Sequence, residues 1–85
     1  MTDTATADAL TIYSTTWCPD CHRAKAFLDS KEVAYREIDI ESTPNAADLV
    51  ASHNDGKHRV PTIEIDGRFF GNPSIRELKD LLAAR

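Results

Sequence analysis

The chain has 85 residues, 41% of them hydrophobic, and a formal net charge of -4. That describes one small domain near the lower limit for an unaided hydrophobic core. The acidic balance excludes a nucleic-acid partner, whose phosphates need clustered Lys and Arg, and apolar runs of only a few residues exclude a membrane span.

Residues 1–8, MTDTATAD, lack the basic and apolar regions of a secretion signal. They read as a frayed tail ahead of a domain over residues 9–85, and the expected location is cytoplasmic. In that compartment a lone pair of cysteines is catalytic or metal-binding more often than structural. Leu10–Ser14, LTIYS, alternates and is rich in β-formers, which predicts a strand. The cysteine motif follows, with Pro19 at a first helical position. Cys21, Ala24 and Leu28 then mark one helical stripe. Tyr35–Ile40, YREIDI, reads as a second strand. The Ser42–Pro44 stretch signals a helix start, Ala46, Leu49 and Val50 give that helix its apolar stripe, and Asn54–Gly56 stops it. Thr62–Ile65 and Arg68–Phe70 flank Asp66-Gly67, a two-residue hairpin signal. Ser74 is a suitable cap for a last amphipathic helix through Ile75, Leu78 and Leu82. The order β-α-β-α-β-β-α predicts a mixed four-stranded α/β sheet with helices on both faces, its first βαβ unit parallel and right-handed. This is the minimal thioredoxin-like arrangement.

The stretch Thr16–Cys21, TWCPDC, carries both cysteines of the chain. A thiol reacts as its thiolate, and an ordinary cysteine is mostly protonated at neutral pH. If Cys18 caps the helix that Pro19 opens, unpaired N–H groups and the positive dipole end favour its anion. Cys21 follows one turn later on the apolar stripe. An exposed attacking sulfur and a buried resolving one are therefore expected, a strong pattern for thiol–disulfide exchange. Metal binding by the two cysteines with His22, His53 or His58 is the competing chemistry. It lacks a second close-spaced pair, so no metal is expected. Asp20 is ambiguous: a carboxylate beside a nascent thiolate opposes ionisation, whereas in a first helical turn it favours the dipole. His22 and Arg23 are placed to offset its charge. Trp17 either shields the site or packs over the helix start, and Tyr13 reads as core.

The stretches YSTTWCPDCHRAKAFL and RVPTIEIDGRFFGNPS together resemble the glutaredoxin-like proteins, most closely the mycoredoxin branch, over about residues 9–84. The carriers are W-C-P-x-C, V-P-T before the hairpin and N-P-S before the last helix. The resemblance implies the strand order 2-1-3-4 and a cis peptide at Pro61 facing the cysteines. It also implies that Val60 pairs its backbone with the substrate thiol. Arg59 is placed to meet a carboxylate of that thiol, with an ordinary solvated charge as the alternative, and Ser74 is a helix cap and anion contact. Two departures bear on the thiol. Thr15 stands where glutathione-using relatives carry Lys or Arg, and Gly71-Asn72-Pro73-Ser74 lacks their acid.

The expected activity is reduction of mixed disulfides between proteins and a low-molecular-weight thiol, mycothiol or glutathione, by Cys18 and Cys21. Trp17, Pro19, Asp20, Arg59, Val60, Pro61 and Ser74 are the expected thiol-binding residues. No bound cofactor is expected, and NADPH acts upstream through a thiol reductase. Partners are small-thiol mixed disulfides on proteins, protein disulfides and that reductase system, with a monomer as the default. Two alternatives stay open: a thioredoxin-like electron donor fed directly by a flavin reductase, and a module holding an iron–sulfur cluster with small-thiol ligands.

Overall fold

The computed structural model describes residues 10–84; the tail expected over 1–8 and the extreme ends of the 9–85 domain lie outside the described residues. Its elements are β1 (Leu10–Ser14), α1 (Pro19–Ser30), β2 (Arg36–Asp39), α2 (Ala46–Ser52), β3 (Thr62–Ile65), β4 (Arg68–Gly71) and α3 (Ile75–Ala84). The sheet order is β2-β1-β3-β4. β1 runs parallel to β2, and β3 is antiparallel to both β1 and β4.

Alternation along the strands divides the apolar residues between two faces. Leu10, Ile12, Ile63 and Ile65 meet Ala24 and Leu28 of α1 and Leu78 of α3 on one face. Tyr13 meets Ala46 and Val50 of α2 on the other, with Val60 and Phe69 packed alongside. The helices therefore lie on both faces, α1 and α3 together and α2 opposite. Phe69 also stacks on the His53 ring with centroids 3.7 Å apart.

The hairpin turn takes the form that Asp-Gly permits. Asp66 and Gly67 both have positive φ, 52° and 83°, as a turn matched to the right-handed strand twist requires. Ser74 and Glu77 cap α3 reciprocally: the Glu77 N–H donates to Ser74 Oγ at 3.1 Å and the Ser74 N–H to Glu77 Oε1 at 2.7 Å. The start of α2 differs from expectation. Neither Ser42 nor Thr43 caps it; Asn45 does so in the left-handed region, with no side-chain cap bond. The backbone there follows the turn at 42–45, in which Ala46 N–H donates to the Thr43 carbonyl at 3.2 Å. Among the described residues, no helix is long and apolar enough to cross a membrane.

Candidate active site

The site forms where α1 begins. Pro19 occupies the first helical turn, where its missing N–H costs nothing, and this leaves Cys18 at the N-cap. The Cys21 N–H donates to Cys18 Sγ at 3.1 Å, so the sulfur takes the acceptor role that a Ser or Asp oxygen fills in other helices. Both that bond and the dipole end stabilise negative charge on Cys18. From the opposite side, the Val60 carbonyl lies 3.8 Å from Cys18 Sγ.

This enclosure corrects one expectation. Cys18 is 5% exposed and Cys21 is 0% exposed, so the attacking sulfur sits under the Val60 loop rather than open to solvent. The cap places the sulfur at the start of α1, and the Val60 backbone covers it. The Cys21 thiol is pushed up to about 12, first by burial and next by its hydrogen bond with Cys18. A backbone hydrogen bond from Thr15 and the charge of Lys25 act in the opposite direction.

The Val60–Pro61 peptide is cis, and the loop that carries it is clamped. The Thr62 hydroxyl donates to the Arg59 carbonyl at 2.7 Å. The Asn54 amide donates to the Val50 carbonyl at 2.7 Å and to Thr62 Oγ1 at 3.3 Å. The Asn72 N–H donates to the Pro61 carbonyl at 2.6 Å. Gly71 makes this closeness possible: a Cβ there would run into Asn54 Oδ1 and the Arg59 side chain. None of these roles was read from sequence, where Asn54 is only a helix stop and Gly71 only part of a turn.

Two grooves flank the cysteines. One, of about 470 Å³, runs past Thr15, Trp17, Glu41, His58 and Val60. Trp17 is 64% exposed at its rim and donates from its indole N–H to Glu41 Oε2 at 3.0 Å. The Thr15 hydroxyl is buried without a partner. The second groove, of about 300 Å³, lies among Asp20, Arg23, Asn72, Pro73 and Ser74. Asp20 is paired there with Arg23 at 2.6 Å and reached by the Asn72 amide at 3.5 Å. His22 does not offset Asp20; its ring contacts the Thr16 carbonyl at 3.0 Å.

The expected site residues thus divide. Cys18, Cys21, Val60 and Pro61 form the centre, Trp17 borders the first groove, and Asp20 and Ser74 line the second. Ser74 already spends its hydroxyl on the helix cap. Arg59 is exposed and lies over Gly71. Among the described residues, no group of three His, Cys, Asp or Glu side chains is placed to hold a metal ion.

Two unpaired thiols, one at a helix cap and one buried a turn away, are the working parts of a thiol–disulfide oxidoreductase on a thioredoxin-like fold. The comparisons place the chain further. Residues 10–70 match the Glutaredoxin family model, and the chain belongs to the glutaredoxin family. It is 47% identical over 72 residues to a Mycobacterium tuberculosis protein named as a candidate glutaredoxin, covering 84% of this chain and 86% of that one. It is 40% identical over 70 residues to mycoredoxin 1 of Corynebacterium glutamicum, covering 81% and 86% respectively. The crystal structure of a variant thioredoxin-like protein superposes with a TM-score of 0.79 at 29% identity, covering 92% of this chain and 99% of that chain. The protein is accordingly a glutaredoxin-type enzyme whose co-substrate is a low-molecular-weight thiol.

Proposed function

We propose that the enzyme reduces mixed disulfides formed between proteins and a small thiol, with Cys18 as nucleophile. The observation that carries this reading is Cys18 Sγ held between the α1 N-terminus and the Val60 backbone. A thiol on that sulfur would lie along the Val60 loop, where backbone groups pair with an extended chain as at a sheet edge. Cys18 thiolate attacks the small-thiol sulfur of the mixed disulfide, and the protein thiolate leaves. A second small-thiol thiolate then attacks that sulfur on Cys18, releasing a small-thiol disulfide and restoring the Cys18 thiolate. Cys21 can instead displace the adduct, leaving a Cys18–Cys21 disulfide. An NADPH-dependent reductase would regenerate the small thiol, in the cytoplasm and with the enzyme acting as a monomer.

Mycothiol is the favoured thiol. The groove past Thr15 carries a carboxylate, Glu41, and no Lys or Arg, which disfavours the terminal carboxylate of glutathione. The likeness to mycoredoxin 1 points the same way. The test uses the Cys21→Ser variant, which cannot close its own disulfide. Incubated with extract of a mycothiol-producing cell, it should carry mycothiol on Cys18, read by intact mass. An adduct mass that corresponds to no small thiol overturns the reading, and a glutathione mass from an extract holding both thiols overturns the preference.

A further inference from the structure

The buried cysteine has a problem that the cap geometry leaves unsolved. Cys18 has a helix N-terminus to support its charge, whereas Cys21 is enclosed and its ionisation is opposed by burial. Yet resolution by Cys21 requires its sulfur as a nucleophile. One side chain stands where it can help. Lys25 is four residues beyond Cys21 on α1, so the two lie one turn apart on the same face.

Lys25 is not free to swing away. Its Nζ donates to Glu37 Oε2 at 2.8 Å. The same oxygen accepts the Ser14 hydroxyl at 2.9 Å, and Ser14 is buried at the end of β1, directly before the loop that carries the cysteines. Ser14 fixes Glu37, and Glu37 fixes the ammonium. The Lys25 pair holds the Glu37 carboxyl below its ordinary range, so the anchor stays charged at neutral pH.

We propose that Lys25, anchored by Glu37 and Ser14, is a positioning residue for Cys21 that speeds closure of the Cys18–Cys21 disulfide. It thereby sets how often the enzyme resolves its own adduct instead of waiting for a second small thiol. This rests on the thiol–disulfide reading above. In the step, the Cys21 sulfur attacks Cys18 Sγ and the bond from Cys18 to the bound thiol breaks. The bound thiol leaves with the electron pair, and the proton lost from Cys21 balances its charge. The groups that face Cys21 are Cys18 at the cap, the Thr15 backbone from the loop and Lys25 from α1; Glu37 reaches it from β2 only through Lys25. Lys25 is thus the one cation acting on the developing thiolate among them.

The test reads the two cysteines separately. One equivalent of dithiobis(nitrobenzoate) per reduced protein releases one coloured thiolate when Cys18 attacks and a second when Cys21 displaces the adduct. Stopped-flow absorbance resolves the two phases. In Lys25→Met the second phase should slow roughly threefold at neutral pH while the first is unchanged. A one-unit rise in thiol pKa removes about tenfold of the thiolate, and the greater nucleophilicity of a more basic thiolate returns about threefold of it. The pH profile of the second phase should move upward, and Lys25→Arg should restore both. Glu37→Gln, which loosens the anchor and keeps the cation, should give a smaller slowing. An unchanged second phase, or equal slowing of both phases, overturns the proposal and leaves Lys25 as a tie between α1 and β2. If the unmodified protein releases only the first thiolate, Cys21 does not resolve at all and the proposal falls with it. The Cys18 adduct weighed in the Cys21→Ser protein is independent of that result.

Discussion

The two walls of the active site are built in different ways. The cysteine wall is local: strand, loop, Pro19 and helix cap lie within Leu10–Cys21, and each sets the next. The proline wall is assembled from afar. Asn54 from beyond α2, Thr62 from β3, Gly71 at the end of β4 and Asn72 after it converge on a single loop. A local wall fails at one atom, whereas a convergent wall fails by losing its shape. Chemistry therefore concentrates at Cys18, and the placement of the Val60 carbonyl depends on residues drawn from several other elements.

The largest effect should come from the local wall. Cys18→Ser should abolish disulfide reduction, a loss of at least about 10³-fold, because an alcohol is not a usable nucleophile here. Its melting temperature should shift little, since Ser is itself a preferred N-cap and changes stability by about 1 kcal/mol at most. Comparing turnover with melting tests whether the wall has one working atom. Asn54→Ala should do the opposite. It removes one hydrogen bond from the Val50 carbonyl and one from the Thr62 hydroxyl, each of which keeps a second partner, costing about 0.5–1.5 kcal/mol per bond. It should also lower kcat/KM for the mixed disulfide while alkylation of Cys18 proceeds at its usual rate. Gly71→Ala should reproduce that pattern, because its methyl displaces the same side chains. A matching drop in Cys18 alkylation would mean that the two walls are not separable.

That contrast also explains what the sequence disclosed. The cysteine wall was legible because a C-x-x-C after a strand and before a helix has one geometry, and the spacing carries it. The hairpin was legible for the same reason, since Asp66-Gly67 accepts a turn that other residues resist. The Lys25–Glu37–Ser14 chain was not legible: it links a helix to two strands, and each member looks like an ordinary surface or strand residue. Asn54 was visible only as a turn former, because the carbonyl it serves is chosen by tertiary packing. The enclosure of Cys18 was missed because capping predicts where the sulfur sits, not what covers it.

Alkaline pH can probe the cysteine wall at two depths, through Cys21 and Tyr13. Burial, followed by its bond to Cys18, pushes the Cys21 thiol from 9.0 up to about 12. Burial, followed by the bond from its hydroxyl to Glu64 at 2.9 Å, pushes Tyr13 from 10.0 up to about 12. Both groups favour the protonated form in the folded state, so their contribution is complete at neutral pH. It is lost as pH rises from about 9 towards 12, because the unfolded chain releases those protons first. Each group contributes a slope of about 1.4 kcal/mol per pH unit within its own window. Denaturant titrations should show the decline beginning near pH 9 in the native sequence. In Cys21→Ser it should begin near pH 10, where Tyr13 takes over together with Tyr35, whose hydroxyl burial also pushes up. Tyr13→Phe should reduce the later component and leave the earlier one unchanged.

The smallest effect should come from Asp20, between the cysteines. Its carboxylate is half-buried and shared between Arg23 and Asn72, and both partners compensate its charge. An exposed pair of this kind contributes about 0–1 kcal/mol, and a first-turn carboxylate adds about 0.3–1 kcal/mol through the helix dipole. Asp20→Asn keeps a polar group facing Asn72 and removes only the charge. It should lower stability by less than about 1 kcal/mol. Losing a like charge near Cys18 should speed its alkylation at neutral pH less than about fivefold, as expected for a solvent-screened charge. A larger acceleration would show that Arg23 does not neutralise Asp20, and that the cysteine wall carries a second group controlling the reactive sulfur.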